Sequence, residues 1–384
     1  MKMYEANLNE RKSDLDWPLL AATAALAALG VLFIFSASGV GAQELALYRQ
    51  KFFRQIVWCL VGAVAVAAFC LVDYGKVARW SRVIYWGSIA SLVVVLVMGV
   101  VHKGGRRWIS AGSFDLQPSE FAKIAFIFLM AEYLSRPVEE LRKPRVFFTA
   151  LGYTVLPFVL ILKEPDLGSA LVFLSICMAV MFVAGVPNRF LGWLAGVAGP
   201  LVVVTVLAIL YSSPTTTIVK PYQKDRLRSF FGLNEKNDAA NYNVNQSLIA
   251  VGSGGMFGKG WRQGTQHELG YLPPAGASND FIFSVIAEEE GFVGSVMILA
   301  LYSVLLLSGI KVASQARDRL GQLLAVGVVT LLFSHVFINI GMNIRLMPVT
   351  GIPLPLLSYG GSSVVCSLIA IGILHNVHIY RKSY

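Results

Sequence analysis

The segment WPLLAATAALAALGVLFIFSA, residues 17–37, decides the fold. It contains no charged side chain, and a helix of about 20 apolar residues is long enough to cross the ~30 Å hydrocarbon core of a bilayer. The apolar run is longer than the central region of a secretion signal. We therefore expect the protein to retain it as a first membrane span.

Comparable apolar runs recur along the chain. Of its 384 residues, 56% are hydrophobic and 14% are charged, which is more apolar than a soluble domain normally is. We predict an all-α polytopic membrane protein, a single domain over residues 1–384, with about ten membrane-spanning helices and a large extracytoplasmic loop, residues 212–281, between the seventh and the eighth. The predicted spans are 17–37, 53–72, 83–101, 118–135, 146–162, 167–184, 190–211, 282–308, 321–340 and 360–379.

Two apolar segments do not fit a regular spanning helix. Three consecutive glutamates, residues 288–290, interrupt the eighth span, and its uninterrupted apolar run begins only at Gly291. Its first turns should therefore stand above the lipid or line a polar cavity. Three prolines within residues 347–355 predict a re-entrant or interfacial turn, tolerated where protein covers it or where it lines a cavity.

The distribution of basic residues predicts the orientation. Ten spans place both termini on one side, which holds 16 Lys and Arg residues against 9 in the short segments of the other side. Long loops are largely exempt from the rule that positive charge stays inside. Both termini, including the tail of residues 1–16, should therefore be cytoplasmic.

The formal net charge of +10 does not indicate nucleic-acid binding, because the basic residues punctuate apolar segments instead of forming one stripe. Residues 252–260 are rich in glycine but lack two required positions of a phosphate-binding loop. We predict no nucleotide cofactor and interpret this segment as a flexible part of the outer loop.

Basic residues on the predicted outer side require an explanation. Lys103, Arg106 and Arg107 crowd one short loop, Lys123 lies near the outer end of the fourth span, and Arg226 lies in the long loop. Either an anionic ligand binds at the outer surface, or these side chains contact lipid headgroups and local acids.

Acidic residues at three places each allow a structural and a functional interpretation. Asp280 could cap the eighth helix or act as a general base. Glu120 and Lys123 share a helix face and could pair, or Lys123 could meet a phosphate that Glu120 helps to orient. Lys163 and Asp166 could pin a tight turn by pairing, or mark a functional site at membrane depth.

Several motifs together make the chain resemble the SEDS family of bacterial cell-wall polymerases, most closely its RodA branch. They are Gly105-Arg106-Arg107-Trp108-Ile109, Gln117-Pro118-Ser119-Glu120-Phe121-Ala122-Lys123, Pro165-Asp166-Leu167-Gly168, Tyr222-Gln223 to Arg226, Gly264-Thr265-Gln266, Asp280-Phe281-Ile282-Phe283 and Ser358-Tyr359-Gly360-Gly361-Ser362-Ser363. The chain departs from the family pattern at four places. Glu164 replaces the usual Gln, His267-Glu268 follows Gly-Thr-Gln, Arg345 replaces a usual Gly, and the Glu that commonly precedes the essential Asp is missing.

The resemblance implies a peptidoglycan glycosyltransferase in the bacterial cytoplasmic (inner) membrane that polymerises lipid II during cell elongation. It implies a class B penicillin-binding protein and other elongation-complex proteins as partners, and an essential aspartate, here Asp280.

On this reading Asp280 is the catalytic base of an inverting transfer. The expected substrate-binding residues are Arg106, Arg107, Lys123, Glu120, Asp166 and Arg226, and a divalent cation, magnesium or manganese, could assist. The alternatives are a lipid II flippase or transporter and a non-catalytic scaffold.

Overall fold

The protein is described here from a computed structural model, in residues 15–38, 50–102, 105–111, 114–164, 166–211, 228, 230–231, 239–272 and 274–381. Within these residues a long helix occurs at each of the ten predicted spans. The helices are α1 Trp17–Ala37, α2 Lys51–Cys70, α4 Ser81–Met98, α5 Pro118–Leu134, α7 Pro144–Lys163, α8 Leu167–Ala184, α9 Asn188–Tyr211, α13 Ile282–Ser314, α14 Arg319–Asn343 and α15 Gly361–Ile379. Shorter helices are α3 Tyr74–Ala78, α6 Val138–Leu141, α10 Ala239–Ser253, α11 Thr265–Glu268 and α12 Pro274–Ala277.

Length and hydropathy support the predicted class. Among the described residues, 8 helices are long and apolar enough to cross a membrane. The two predicted spans outside this set are α9 and α5, and α5 has 17 residues and contains Glu120 and Lys123. The chain is therefore a multi-pass helical membrane protein.

Burial separates central from peripheral helices. In α15, 83% of the most apolar window is buried inside the protein, against 11% in α2. Nearly every residue of α5 is buried as well. Exposed apolar side chains such as Leu60 and Val64 of α2 can face lipid without cost, because hydrocarbon surrounds a spanning helix. Helices α5, α8, α14 and α15 pack together at the centre.

The short loop between α4 and α5 is a small antiparallel sheet, which was not predicted from the sequence. Its strands are β1 Val100–His102, β2 Gly105–Ala111 and β3 Phe114–Leu116, in the order β1-β2-β3. Val101 pairs with Arg106, and Ser110 pairs with Asp115. Backbone pairing thus places part of the predicted basic loop on a β-hairpin.

Helix α13 is broken where its first turns were expected to leave the lipid. Gly291 has φ 65° and ψ −157°, a conformation open to glycine and strained for other residues. Backbone N–H groups of residues 259 and 260 donate to the carbonyl oxygens of Glu288 (3.0 Å) and Glu289 (2.9 Å), and the N–H of Phe292 donates to Gly255 (2.9 Å). The interpretation of residues 252–260 as a flexible loop is therefore wrong, since this segment supplies partners at the helix break.

The proline-containing segment is irregular, as expected. Residues 347–358 form no helix, and Ile352, Leu354 and Leu357 are almost fully buried. Protein covers this segment, which is the condition for irregular backbone at membrane depth.

Candidate active site

One end of the bundle collects the predicted polar residues. Here the turn 278–281 meets the start of α15, because the N–H of Tyr359 donates to the carbonyl oxygen of Ser278 (2.9 Å). Lys51, at the start of α2, donates to the Ser278 hydroxyl (2.8 Å). The N–H of Gln117 donates to the Ser362 hydroxyl (3.1 Å), which places the start of α5 at the same end.

Asp280 lies in the turn before α13 and is half-buried. The N-cap of α13 is Phe281, whose own side chain makes no capping hydrogen bond. The capping alternative assumed Asp280 at the N-cap position, and Phe281 holds that position instead. The chain enters the helix one residue later than the sequence suggested.

Side chains hold the main chain of the Asp280 turn. The side-chain amide groups of Asn339 and Asn343 donate to the Asp280 carbonyl oxygen at 3.0 and 3.1 Å. The Ser358 hydroxyl donates to the Asn279 carbonyl oxygen at 2.6 Å. The main chain at Asp280 is therefore fixed from two directions, by α14 and by the segment before α15.

The Asp280 carboxylate faces the irregular segment 347–358. A Cβ atom built on Gly351 would lie 3.7 Å from Asp280 Oδ2, which is ordinary contact distance. Gly351 has φ 79°, a left-handed conformation that other residues rarely adopt. The carboxylate thus lies beside a stretch of main chain with no side chain of its own.

Lys123 and Glu120 form the pair that their spacing predicted. Their charged atoms are 2.6 Å apart, and both side chains are at most 4% exposed. Lys123 Nζ also lies 2.9 Å from Nε2 of His335 on α14. His335 was not among the site residues predicted from the sequence, although an ionisable residue inside a span indicates a functional site by default.

Arg107 and Asp166 form a second charged pair, with 3.6 Å between their nearest charged atoms. Arg107 Nε also donates to the Glu164 carbonyl oxygen (3.0 Å). Asp166 caps α8 by accepting from the N–H (3.0 Å) and the hydroxyl (3.0 Å) of Ser169. Among the described residues Asp166 pairs with Arg107 and not with Lys163, so the alternative in which Lys163 and Asp166 pin the turn by pairing is wrong. The β-hairpin brings Arg107 over the turn and supplies the partner instead.

Glu164 is buried beside this pair. It is 1% exposed, and neither carboxyl oxygen has a hydrogen-bond partner among the described residues. Burial raises the pKa of Glu164 to about 8; Asp166 adds to the rise and Arg107 opposes it. A protonated Glu164 resembles the Gln that the family usually carries here, since both then lack charge and carry a donor.

Two predicted substrate-binding residues have no described side chain. Arg226 lies outside the described residues, and Arg106 is placed only through the backbone pairing of β2. The outer loop 212–281 is described from Ala239 onward apart from residue 273, and in residues 228 and 230–231. Its helix α10 packs against α13 and α14.

The Asp280 turn, the Lys123 pair and the Arg107 pair are linked through shared neighbours. Helix α14 contacts Lys123 through His335 and the Asp280 turn through Asn339. A Cβ on Gly168, two residues after Asp166, would press on Thr350, next to Gly351. These shared neighbours place the Asp280 turn and both charged pairs in one part of the helix bundle.

Comparison with known proteins gives matches along nearly the whole chain. The model of the FtsW/RodA/SpoVE family, described as a cell cycle protein, matches residues 17–383. The chain is 37% identical to the stage V sporulation protein E of Bacillus subtilis, with 98% of this chain and 100% of that protein covered. It is 33% identical to the peptidoglycan glycosyltransferase RodA of Treponema pallidum, with 95% and 98% covered.

Solved structures share the fold. One chain belongs to a structure titled "Structural coordination of polymerization and crosslinking by a peptidoglycan synthase complex"; it is 28% identical, with a TM-score of 0.73, 95% of this chain and 98% of that chain covered. The crystal structure of the rod shape-determining protein RodA of Thermus thermophilus is also 28% identical, with a TM-score of 0.68 and 97% and 99% covered. These matches confirm the predicted resemblance and the helical membrane fold.

Proposed function

The chain belongs to the FtsW/RodA/SpoVE family of cell cycle proteins and is a peptidoglycan glycosyltransferase, and on that premise we propose that Asp280 is the general base of glycan polymerisation. One observation carries the proposal. The Asp280 main chain is held by Asn339 and Asn343, while Phe281 occupies the helix cap. Asp280 therefore lies one residue before the position that the capping role requires, and its carboxylate lies beside the main chain of Gly351.

The reaction we propose joins two lipid II molecules. The Asp280 carboxylate takes the proton from the 4-hydroxyl of the acceptor N-acetylglucosamine. That oxygen forms a bond to C1 of the donor muramyl sugar as the bond from C1 to pyrophosphate breaks, with inversion at C1. The leaving group is undecaprenyl pyrophosphate, so the carrier lipid supplies the driving force and no nucleotide takes part.

Cationic groups would stabilise charge on the leaving pyrophosphate. Arg107 is better placed for direct contact, because its side chain is 18% exposed. Lys123 is 1% exposed, so its charge would act through the enclosed pair with Glu120. Arg106 and Arg226 stay predictions. The described residues contain no group of three His, Cys, Asp or Glu arranged to hold a metal, so we assign no step to magnesium or manganese.

We place this reaction at the outer face of the bacterial cytoplasmic membrane, with both termini cytoplasmic. The support is the excess of Lys and Arg in the short segments on the side of the termini. The partner we propose is a class B penicillin-binding protein, within a larger elongation complex. Its support is the similarity to a chain from a complex that coordinates polymerisation and crosslinking.

A polymerisation assay with purified protein and labelled lipid II tests whether Asp280 is the general base. Asp280→Asn keeps the volume of the side chain but cannot accept a proton at working pH, so polymer formation should fall ~10²- to 10⁴-fold. Asp318→Asn is the matched control, since Asp318 caps α14 at the opposite end. Wild-type polymerisation by Asp280→Asn would overturn the assignment. The same assay separates a polymerase from a transporter or a scaffold, neither of which forms glycan.

A further inference from the structure

Three buried polar residues form a stripe along α14. His335, Asn339 and Asn343 recur every four residues, which places them on one helix face, and they are 3%, 0% and 0% exposed. Each step of four residues rises about 6 Å along the helix. Buried polar groups in a spanning helix are costly unless they are paired, so their partners indicate what the stripe does.

At one end of the stripe, His335 contacts Lys123. The distance of 2.9 Å between Lys123 Nζ and His335 Nε2 is a hydrogen bond. A lysine ammonium only donates, so Nε2 accepts and the ring proton lies on Nδ1. Glu120 Oε1 accepts another hydrogen bond from Nζ at 2.6 Å. His335 thus fixes the direction of the ammonium group without adding a charge.

At the other end, two asparagines hold the Asp280 turn. Asn339 Nδ2 donates to the carbonyl oxygens of Asp280 (3.0 Å) and Ile352 (2.7 Å), which uses both of its protons. Asn343 Nδ2 donates to Asp280 (3.1 Å) and to Asn339 (2.8 Å). One amide therefore ties together the turn that carries Asp280 and the segment that carries Gly351.

We propose that this stripe, His335, Asn339 and Asn343, is a set of positioning residues. It fixes the position of the Asp280 carboxylate relative to the Lys123 ammonium, because all three residues lie on one helix. The proposal rests on the proposed role of Asp280 as base. None of the three residues touches the reacting atoms. Each acts through another group, and a displacement of about 1 Å can cost ~10²-fold in rate.

The first test replaces the central amide. Asn339→Leu should lower the kcat of lipid II polymerisation ~10- to 100-fold with little change in KM, because substrate contacts stay. Asn376→Leu is the matched control. Asn376 is equally buried and donates to two main-chain carbonyl oxygens, those of Phe69 and Val72, at 2.5 and 2.6 Å. It should lose stability without a specific fall in kcat.

A double-mutant cycle separates positioning from general damage. If Asn339 acts through Asp280, Asn339→Leu should have almost no further effect on the residual rate of Asp280→Asn. If the two substitutions lowered the polymerisation rate independently, so that their effects multiplied, the proposed positioning role of Asn339 would be overturned. The two proposals can fail separately. An active Asp280→Asn variant contradicts the role of Asp280 as general base. An inactive Asp280→Asn variant together with a fully active Asn339→Leu variant contradicts only the positioning role of the stripe.

His335 provides a second test that does not depend on whether Asn339→Leu folds. Gln can place an acceptor near the position of Nε2, and Leu cannot. His335→Gln should therefore keep most of the activity, while His335→Leu should lose at least ~10-fold in kcat. Equal activity of the two variants would show that the bond to Lys123 does not matter to the reaction, and would overturn the proposal at this end of the stripe.

Discussion

Lys259 Nζ lies 2.6 Å from the carboxylate of Glu288, whose side chain is fully buried. Glu288 also accepts from the N–H (3.0 Å) and the hydroxyl (3.0 Å) of Thr265. The ion pair ties the glycine-rich segment 252–260 and the Gly264-Thr265-Gln266 motif to the broken helix α13. The loop before α13 and the first turns of α13 therefore behave as one packed unit beside Asp280.

Gly258→Ala should destabilise this unit. Gly258 has φ 78°, and its new Cβ would collide with the Glu289 carbonyl oxygen. The left-handed backbone alone costs about 1–2 kcal/mol. Gly252→Ala is the control, because it lies in α10 with nothing near its Cβ position, and Ala favours a helix. Thermal unfolding in detergent should show a lower Tm for Gly258→Ala only; an unchanged Tm would contradict the tight contact.

Lys123→Met should destabilise more than the double replacement of Lys123 by Met and Glu120 by Gln. Removing one partner of a buried ion pair leaves the other charge buried and unpaired, which lowers the free energy of unfolding by about 3–5 kcal/mol. Replacing both partners is often nearly neutral. Unfolding in detergent measures this order. Polymerisation should be lost in both variants, because both lack the cation; an active double variant would show that Lys123 is structural.

Glu164→Gln should stabilise the protein at alkaline pH. Burial raises the pKa of Glu164 to about 8, above its ordinary value of 4.5, so the folded state holds a proton that the unfolded state releases between these values. Stability of the wild type should therefore fall as pH rises through that window and level off above pH 8. The gap in Tm between the two proteins should widen from pH 5 to pH 8; a constant gap would contradict the shift.

Cysteine labelling tests the orientation. Glu268 and Gln315 are both exposed and lie on opposite sides in the proposed topology. In a background in which Cys59, Cys70, Cys177 and Cys366 are alanine, a cysteine at Glu268 should react with an impermeant thiol reagent applied to intact cells. A cysteine at Gln315 should react only after lysis. The reverse labelling pattern would place Asp280 on the cytoplasmic side of the membrane and contradict the proposed orientation.

Hydropathy predicted the spans because a helix in lipid must satisfy its backbone within itself, so span length and apolar content are local properties. Helices α1 and α8 match residues 17–37 and 167–184 to the residue. The Glu120–Lys123 pair was equally predictable, since three residues on one helix bring two side chains together. The interruption of the eighth span was visible as three glutamates before Gly291, whereas the helix break itself was not predicted.

Other features left no decisive local signal. Strands β1 and β3 have three residues each, too few for alternation to stand out. The partner of Asp166 came from the hairpin instead of from its neighbour Lys163. The polar spacing of His335, Asn339 and Asn343 was readable, but nothing in it named their partners.

The sequence by itself therefore determined the class of the protein, its spans, its family resemblance and the identity of its candidate base, because these depend on composition, period and motif. Only the tertiary structure decided that Phe281 takes the helix cap, that Arg107 meets Asp166, and that α14 joins Lys123 to the Asp280 turn. Lys123 and His335 are 212 residues apart, and such contacts arise from the packing of helices against one another, which no local property of the chain specifies.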